Sequence, residues 1–259
     1  EQNSIQISYS RRVRRPRFWD LNPFFSFSDD RNFFSGNPDL DPEFTDAYEI
    51  GHVKYFQKGS ISSAIYYRHT TDVIERITTL DGLGRTLRRP ENLATQDDVG
   101  LEFTGSYNPF KWWRLNGNFN FFRSETNGDN IDANLQAETV TWFTRGTSRW
   151  TLWGDTDLQL RFNYRAPRKE TQGESRARYS VDLAASRDIL NKNGTLTLSV
   201  RDLFNSRRYQ YEQFGESFFR EGDFQWRVRQ ITLQLNYRLN QKKQRQGGGG
   251  GYDGDGGEF

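Results

Sequence analysis

The chain has 259 residues, with 36 basic and 34 acidic side chains for a net charge of +2, and is 34% hydrophobic. Mean hydropathy is −0.92, and no apolar run approaches the roughly 20 residues a membrane helix needs, which excludes helical insertion. The near balance of charge argues against a nucleic-acid binder, and the lack of Cys rules out disulfides and thiolate metal sites.

In chain order, residues 4–10 alternate Ile5, Ile7 and Tyr9 against Gln6, Ser8 and Ser10, the period-two pattern of a two-faced strand. Residues 11–45 hold four of the seven prolines and read as a loop. Residues 46–56 read as a strand whose phase slips: Tyr48 and Ile50 take one face, Val53 and Tyr55 the other, as a bulge near Gly51 would explain. A tight turn at Gln57, Lys58, Gly59 and Ser60 leads to a strand over 61–71. Residues 72–96 read as a second long connection, with β character around 73–79.

Residues 97–123 carry the clearest signal. Val99, Leu101, Phe103 and Tyr107 alternate with Glu102, Thr104 and Ser106. After the turn Asn108-Pro109-Phe110-Lys111, Trp113, Leu115, Phe119 and Phe121 alternate with Arg114, Asn116, Asn118 and Asn120. Phe110, Trp112 and Trp113 crowd this turn, where soluble hairpins place small polar residues; aromatics at strand ends suit the headgroup level of a bilayer. Residues 124–136 form a polar loop, and strands follow at 139–152, 158–165, 176–187, 195–201 and 226–239. The turn at Asn191-Lys192-Asn193-Gly194 is a hairpin signal, while 166–174 and 202–225 read as loops.

This makes about ten strands joined alternately by tight turns and long polar connections, the asymmetry of a transmembrane meander. The expected fold is all-β: an antiparallel transmembrane β-barrel over residues 1–240. A Gly-rich flexible tail follows at 241–259, and a terminal Phe259 is a candidate handle for a partner. The absence of an initial Met and of a leader leads us to expect a mature fragment or the C-terminal part of something longer. Long loops are expected outside the cell, turns and tail in the periplasm. Leu101, Phe103, Leu160, Phe162, Leu233 and Leu235 then face lipid, and Trp112, Trp113 and Tyr237 form an aromatic belt. Arg145, Arg149, Arg161, Arg165, Arg178 and Arg238 face the interior as wall residues. Asn37 and Gly215 mark the cell surface.

Several loop segments carry a family resemblance. SYSRRVRRPRFWDLNPF at 8–24 and SGNPDLDPEFTDAYEIG at 35–51 resemble the C-terminal half of the TonB-dependent receptor-like outer-membrane β-barrel family, of the type abundant in Bacteroidota. Further echoes are Pro90-Glu91-Asn92-Leu93 ahead of VGLEF, the NPFKWW turn, and DLFNSRRY at 202–209. The resemblance implies the last ten strands of a 22-stranded barrel, with a plug and a TonB-gripped coupling box as the family's further parts. It also implies a bulky nutrient as cargo, and TonB and a surface lipoprotein as partners. Some relatives are not clear transporters, so a structural barrel subunit of a multi-protein outer-membrane machine stays open, docking other subunits through loops or tail. A soluble carbohydrate-binding β-domain is the third reading.

No catalytic constellation stands out, no cofactor is called for, and an enzyme is not expected. His52 and His69 alone fall short of a metal's ligand set and read as lumen or rim residues. Asp29, Asp30, Asp39, Asp41 and Glu43 lack the spacing of an EF-hand loop and read as solvated loop charge. Arg11, Arg12, Arg14, Arg15 and Arg17 have two readings: contact with lipopolysaccharide phosphates or an anionic substrate, or pairing with wall acids such as Glu49 and Glu102. Arg12, Arg15, Trp19, Asn37 and Asp39 are the candidate ligand-binding residues of the loops.

Overall fold

The computed structural model describes residues 2–153, 156–215 and 218–239. The tail at 241–259 with Phe259, and Gly154 and Asp155 of one expected turn, lie outside the described residues. In chain order the elements are β1 (Gln2–Arg14), the short helix α1 (Phe18–Leu21), β2 (Ser26–Asp29), β3 (Asn32–Phe34), β4 (Glu43–Phe56) and β5 (Gly59–Leu80). Next come β6 (Thr86–Phe110), β7 (Trp113–Asn127), β8 (Gln136–Leu152), β9 (Thr156–Arg165), β10 (Arg168–Glu170) and β11 (Gly173–Ser175). The last are β12 (Arg178–Ile189), β13 (Gly194–Arg201), β14 (Tyr209–Gly215), β15 (Phe218–Phe224) and β16 (Gln230–Tyr237).

Ten of these strands make one antiparallel wall in the order β1-β4-β5-β6-β7-β8-β9-β12-β13-β16. Residues directly opposite each other on a ladder share a face, so register carries the sequence alternation across the sheet. One row runs Ile7, Ile50, Ile65, Leu101, Phe121, Trp142. Further along, Leu160 pairs with Leu183, Leu198 with Leu233, and Leu196 with Leu235. The whole wall has one apolar face, and Leu101, Phe103, Leu160, Phe162, Leu233 and Leu235 all lie on it. Nothing among the described residues covers it: Ile7 is 78% and Leu233 68% exposed. The wall is open between β1 and β16.

Several expectations are corrected. β4 pairs with both neighbours without a register shift, so there is no bulge at Gly51. Val53 and Tyr55 simply sit on the polar face, and His52 and Lys54 take the apolar one near the turn. The irregularity lies instead between Tyr107 and Phe110, and it moves the turn forward to Lys111 and Trp112. Residues 72–96 are not a connection. β5 and β6 stay paired through them, from Val73↔Leu93 to Leu80↔Thr86, with one kink at Asp72, whose φ is 56°. A 25-residue strand is roughly 80 Å long at 3.3 Å per residue, far more than the roughly 9–11 residues of a tilted crossing. This hairpin therefore overhangs the wall. The stretches read as loops at 166–174 and 202–225 also form strands, a second sheet in the order β10-β11-β14-β15.

Among the described residues one compact apolar cluster, Val73, Ile77, Leu93 and Leu135, forms at the overhanging hairpin, with Leu93 fully buried. The wall has no such core. On its polar face Tyr66 instead crosses the backbone of its ladder partner Gly100, where a Cβ would come 2.4 Å from the Tyr66 hydroxyl. The ring is thereby buried, donates its hydroxyl to Asn120 Oδ1 at 3.0 Å, and carries the Arg68 guanidinium 4.1 Å above it. At the short-turn end Phe110, Trp112 and Trp113 stack with centroids 5.3–6.4 Å apart, Lys58 Nζ lies 5.8 Å from the Phe110 ring, and Tyr237 faces outward opposite Gly194.

Candidate functional site: the loop-end mouth

All long connections emerge at one end of the wall. There the second sheet locks onto the overhanging hairpin through Gln172. Its side chain accepts from Thr78 N at 2.7 Å and donates to Thr78 O at 2.9 Å, imitating a strand on the hairpin's side. Gln213 Nε2 donates to Thr78 Oγ1 at 3.0 Å, and Thr171 Oγ1 to Glu75 Oε1 at 2.7 Å. Arg176 ties the sheet together between Glu212 and Glu221.

The gap between sheet, hairpin and β1 is a cavity of about 460 Å³, lined among others by Arg14, Arg17, Arg76, Arg88, Tyr209 and Tyr211. A second cavity of about 750 Å³ continues along the polar face and adds Arg12, Arg68 and Arg168. Several mouth cations are paired: Arg14 with Glu43 at 3.0 Å and Arg76 with Asp20 at 3.0 Å. The mouth thus offers guanidinium groups and tyrosines around a wet, mainly polar volume of ligand size. It has the makings of a recognition surface.

Glu75 titrates in an informative direction. Burial raises its carboxyl above the ordinary 4.5, and the Thr171 hydroxyl only partly opposes this. A raised carboxyl favours the docked sheet in its neutral form, so docking is fullest below about pH 4.5 and weakens as pH rises through the raised value. We expect amide-exchange protection at Thr78 to fall over that window in the wild type and to stay level in Glu75→Gln. A level profile in the wild type would remove Glu75 from the docking contact.

The loop residues nominated from sequence do not converge. Arg12 lines the second cavity; Arg15 is exposed beyond β1. Trp19, 68% exposed, packs edge-on against Phe18 at 5.5 Å. Asn37 is 5% exposed and is spent as a pin, donating to Pro90 O and Glu91 Oε2 and accepting from Arg89 and Asp39 N. Its side chain is thus buried and engaged, and a label there would report poorly on the surface. Gly215 ends β14 with the Phe218 ring against its Cα, so a cysteine there is crowded. The acids that meet the basic stretch are Glu43 and Asp46, with Arg11 Nε 4.0 Å from Asp46, not Glu49 or Glu102.

His69 lies at the loop-end rim, 2.8 Å from Asp97, which also accepts from Tyr67; His52 lies on the apolar face towards the short-turn rim, not in the lumen. The five loop acids are dispersed, and Asp29 caps its own turn through Arg31 N and Asn32 N. Among the described residues, no three His, Asp or Glu side chains group as a metal site. Of the interior arginines, Arg145, Arg161, Arg165 and Arg178 meet in a cavity on β8, β9 and β12. Arg149 pairs with Asp157 at 2.7 Å, and Arg238 stays at the short-turn end, its N donating to Asn193 O. Glu75, Arg76 and Arg88 escaped notice because their stretch read as a connection; a continued strand phase through 72–94 was the signal available.

A family model for the outer membrane protein β-barrel family matches residues 1–237. No curated protein matches the chain. Among solved structures, it is similar to the siderophore receptor PirA from Pseudomonas aeruginosa, with a TM-score of 0.58 and 16% identity over 80% of this chain and 37% of that one. It is similar to the copper transporter OprC, at TM-score 0.61 and 16% identity over 91% and 37%. The ferric yersiniabactin uptake receptor FyuA from Yersinia pestis gives 0.62 and 15% over 90% and 34%. These likenesses speak for the fold, and the chain spans little more than a third of the length of each.

Proposed function

The chain belongs to the outer membrane protein β-barrel family, and on that premise we propose that it forms wall and mouth of an outer-membrane importer of the TonB-dependent receptor kind, which admits a bulky nutrient through a plugged lumen. It resides in the outer membrane. The observation that carries the reading is the single uncovered apolar face spanning all ten wall strands, which suits lipid. The polar face then lines the lumen, the loop end lies outside the cell, and the Phe110, Trp112 and Trp113 stack sits at the periplasmic interface. The mouth cavities bind the solute, and release inward is driven by TonB acting on parts beyond these strands. No residue here performs bond chemistry. Outward-facing Arg11, beside Tyr9 and Asp46 at the rim, is placed for lipopolysaccharide phosphates.

Two measurements test this. Cysteine at Leu83, which is 78% exposed at the tip of the overhanging hairpin, or at exposed Asp39, reacts with an impermeant maleimide on intact cells. Silence at both reverses or rejects the topology. Formaldehyde cross-linking of the full-length protein in cells gives a TonB adduct. A stable complex with other outer-membrane subunits and no TonB adduct favours instead a structural subunit, a reading that the two-sheet loop platform also suits as a docking surface.

A further inference from the structure

On the polar face, between β8, β9, β12 and β13, lies a cavity of about 650 Å³ whose lining includes Arg145, Arg161, Arg165, Arg178, Arg201 and Arg207 but only one carboxylate, Asp182. That carboxylate is already committed. It accepts two bonds from Arg207 at 3.0 and 3.1 Å and one from Asp202 N at 2.8 Å. Arg145 is held by Asn163 Oδ1 at 3.0 Å. Among the described residues, Arg161, Arg165, Arg178 and Arg201 have no carboxylate at ion-pair distance. Arg165 and Arg178 stand directly opposite each other across the ladder, an arrangement of like charges that destabilises a sheet. They are steadied by rings, Arg165 5.8 Å from Phe143 and Arg178 6.0 Å from Tyr209. Tyr209 also lines the loop-end cavity, so the basin begins where the mouth ends.

We propose that this basin is an anion station that takes the phosphate or carboxylate groups carried by the solute, groups that a small multivalent oxyanion mimics. The inference rests on the reading that the polar face lines a lumen. The volume is that of a small-molecule site. Every cation in the lining is an arginine, whose planar fork matches such oxygens two at a time. An unbalanced positive basin in a walled channel focuses its field on an entering anion, and binding relieves the opposed pair. The lining of the neighbouring cavity around Ser60, Ser62, Thr104, Asn116 and Asn118 is uncharged apart from Arg145, which it shares with the basin, so the charge falls off on that side.

The test uses the full-length protein in detergent, titrated calorimetrically with inorganic pyrophosphate and, separately, with citrate. We expect binding of at least one of the two, weakening steeply with salt. In Arg161→Gln/Arg178→Gln the affinity falls about tenfold or more, while Arg85→Gln, at the hairpin tip, binds as wild type. Heat-modifiable gel mobility confirms that each variant is a folded barrel. No binding of either probe, equal losses in Arg85→Gln, or an unchanged double variant overturns the proposal. So does an experimental structure in which carboxylates of the protein's own polypeptide occupy Arg161 and Arg178. Because binding is read in detergent, its outcome is separable from the labelling and TonB cross-linking that test the importer reading.

Discussion

Arginine in place of Leu160 or Leu233 is expected to destabilise the folded barrel in lipid by about 2–4 kcal/mol, the cost of a cation near the bilayer midplane, and Leu101→Arg by the same order. Leu160 lies mid-strand in β9, opposite Ser148 and Leu183, and Leu233 mid-strand in β16, opposite Leu198. In water Leu233 and Leu101 would tolerate arginine, because they are 68% and 39% exposed in the protein itself, while Leu160 is half-buried on the same face. The penalty therefore measures the solvent on that face rather than packing. Gln159→Arg is the matched control, one residue away on the polar face, and should cost under about 1 kcal/mol, as surface substitutions do. Equilibrium guanidinium unfolding of the full-length protein in phospholipid vesicles gives all four values. Near-neutral effects at Leu101, Leu160 and Leu233 together would sink the lipid-facing assignment.

What could be read beforehand depended on how local each signal is. The wall was legible because alternation is a property of single strands: Leu158, Leu160, Phe162 and Tyr164 announce their face without any partner. The turn at 191–194 and the stack at 110–113 were legible for the same reason. The platform over the mouth was not. β10, β11, β14 and β15 are three to seven residues long and carry no clean alternation of apolar and polar residues, and side-chain bonds such as Gln172 to Thr78, 94 residues away, hold their sheet to the hairpin. No periodicity records such a bond. The extension of β5 and β6 through 72–94 was hidden by Pro90 and by charge, although its apolar members Val73, Ile77 and Leu93 build the compact core found among the described residues. Phase alone misled at Val53 and Tyr55, because near a wall's rim the polar face tolerates apolar residues and no bulge is needed. The interior arginines were found singly from alternation, but their convergence needed the register of four strands.

The motif DLFNSRRY gives the second large effect, and here the sequence resemblance acquires a physical cause. Asp202 is 1% exposed and has a positive φ of 55°. Its carboxylate closes the turn after β13 by accepting from Ser206 N at 2.9 Å and Arg207 N at 3.0 Å, with Ser206 Oγ at 3.3 Å. This aims Arg207 back at Asp182 and Ser180. Alanine would leave two backbone donors without an acceptor, at about 1–3 kcal/mol each, and would hold a left-handed conformation that disfavours it by roughly 1 kcal/mol. Asp202→Ala should therefore cost about 3–7 kcal/mol. Asparagine keeps one acceptor oxygen and tolerates the left-handed region, so Asp202→Asn should lose less than half as much. Because Arg207 depends on the turn for its aim, Asp202→Ala and Asp182→Asn should be non-additive, the double variant costing clearly less than the sum. The same vesicle unfolding assay reads the three variants. An Asp202→Ala cost below about 1 kcal/mol would show that the turn does not need its buried carboxylate, and strict additivity with Asp182→Asn that it does not aim the arginine paired with the basin's one carboxylate.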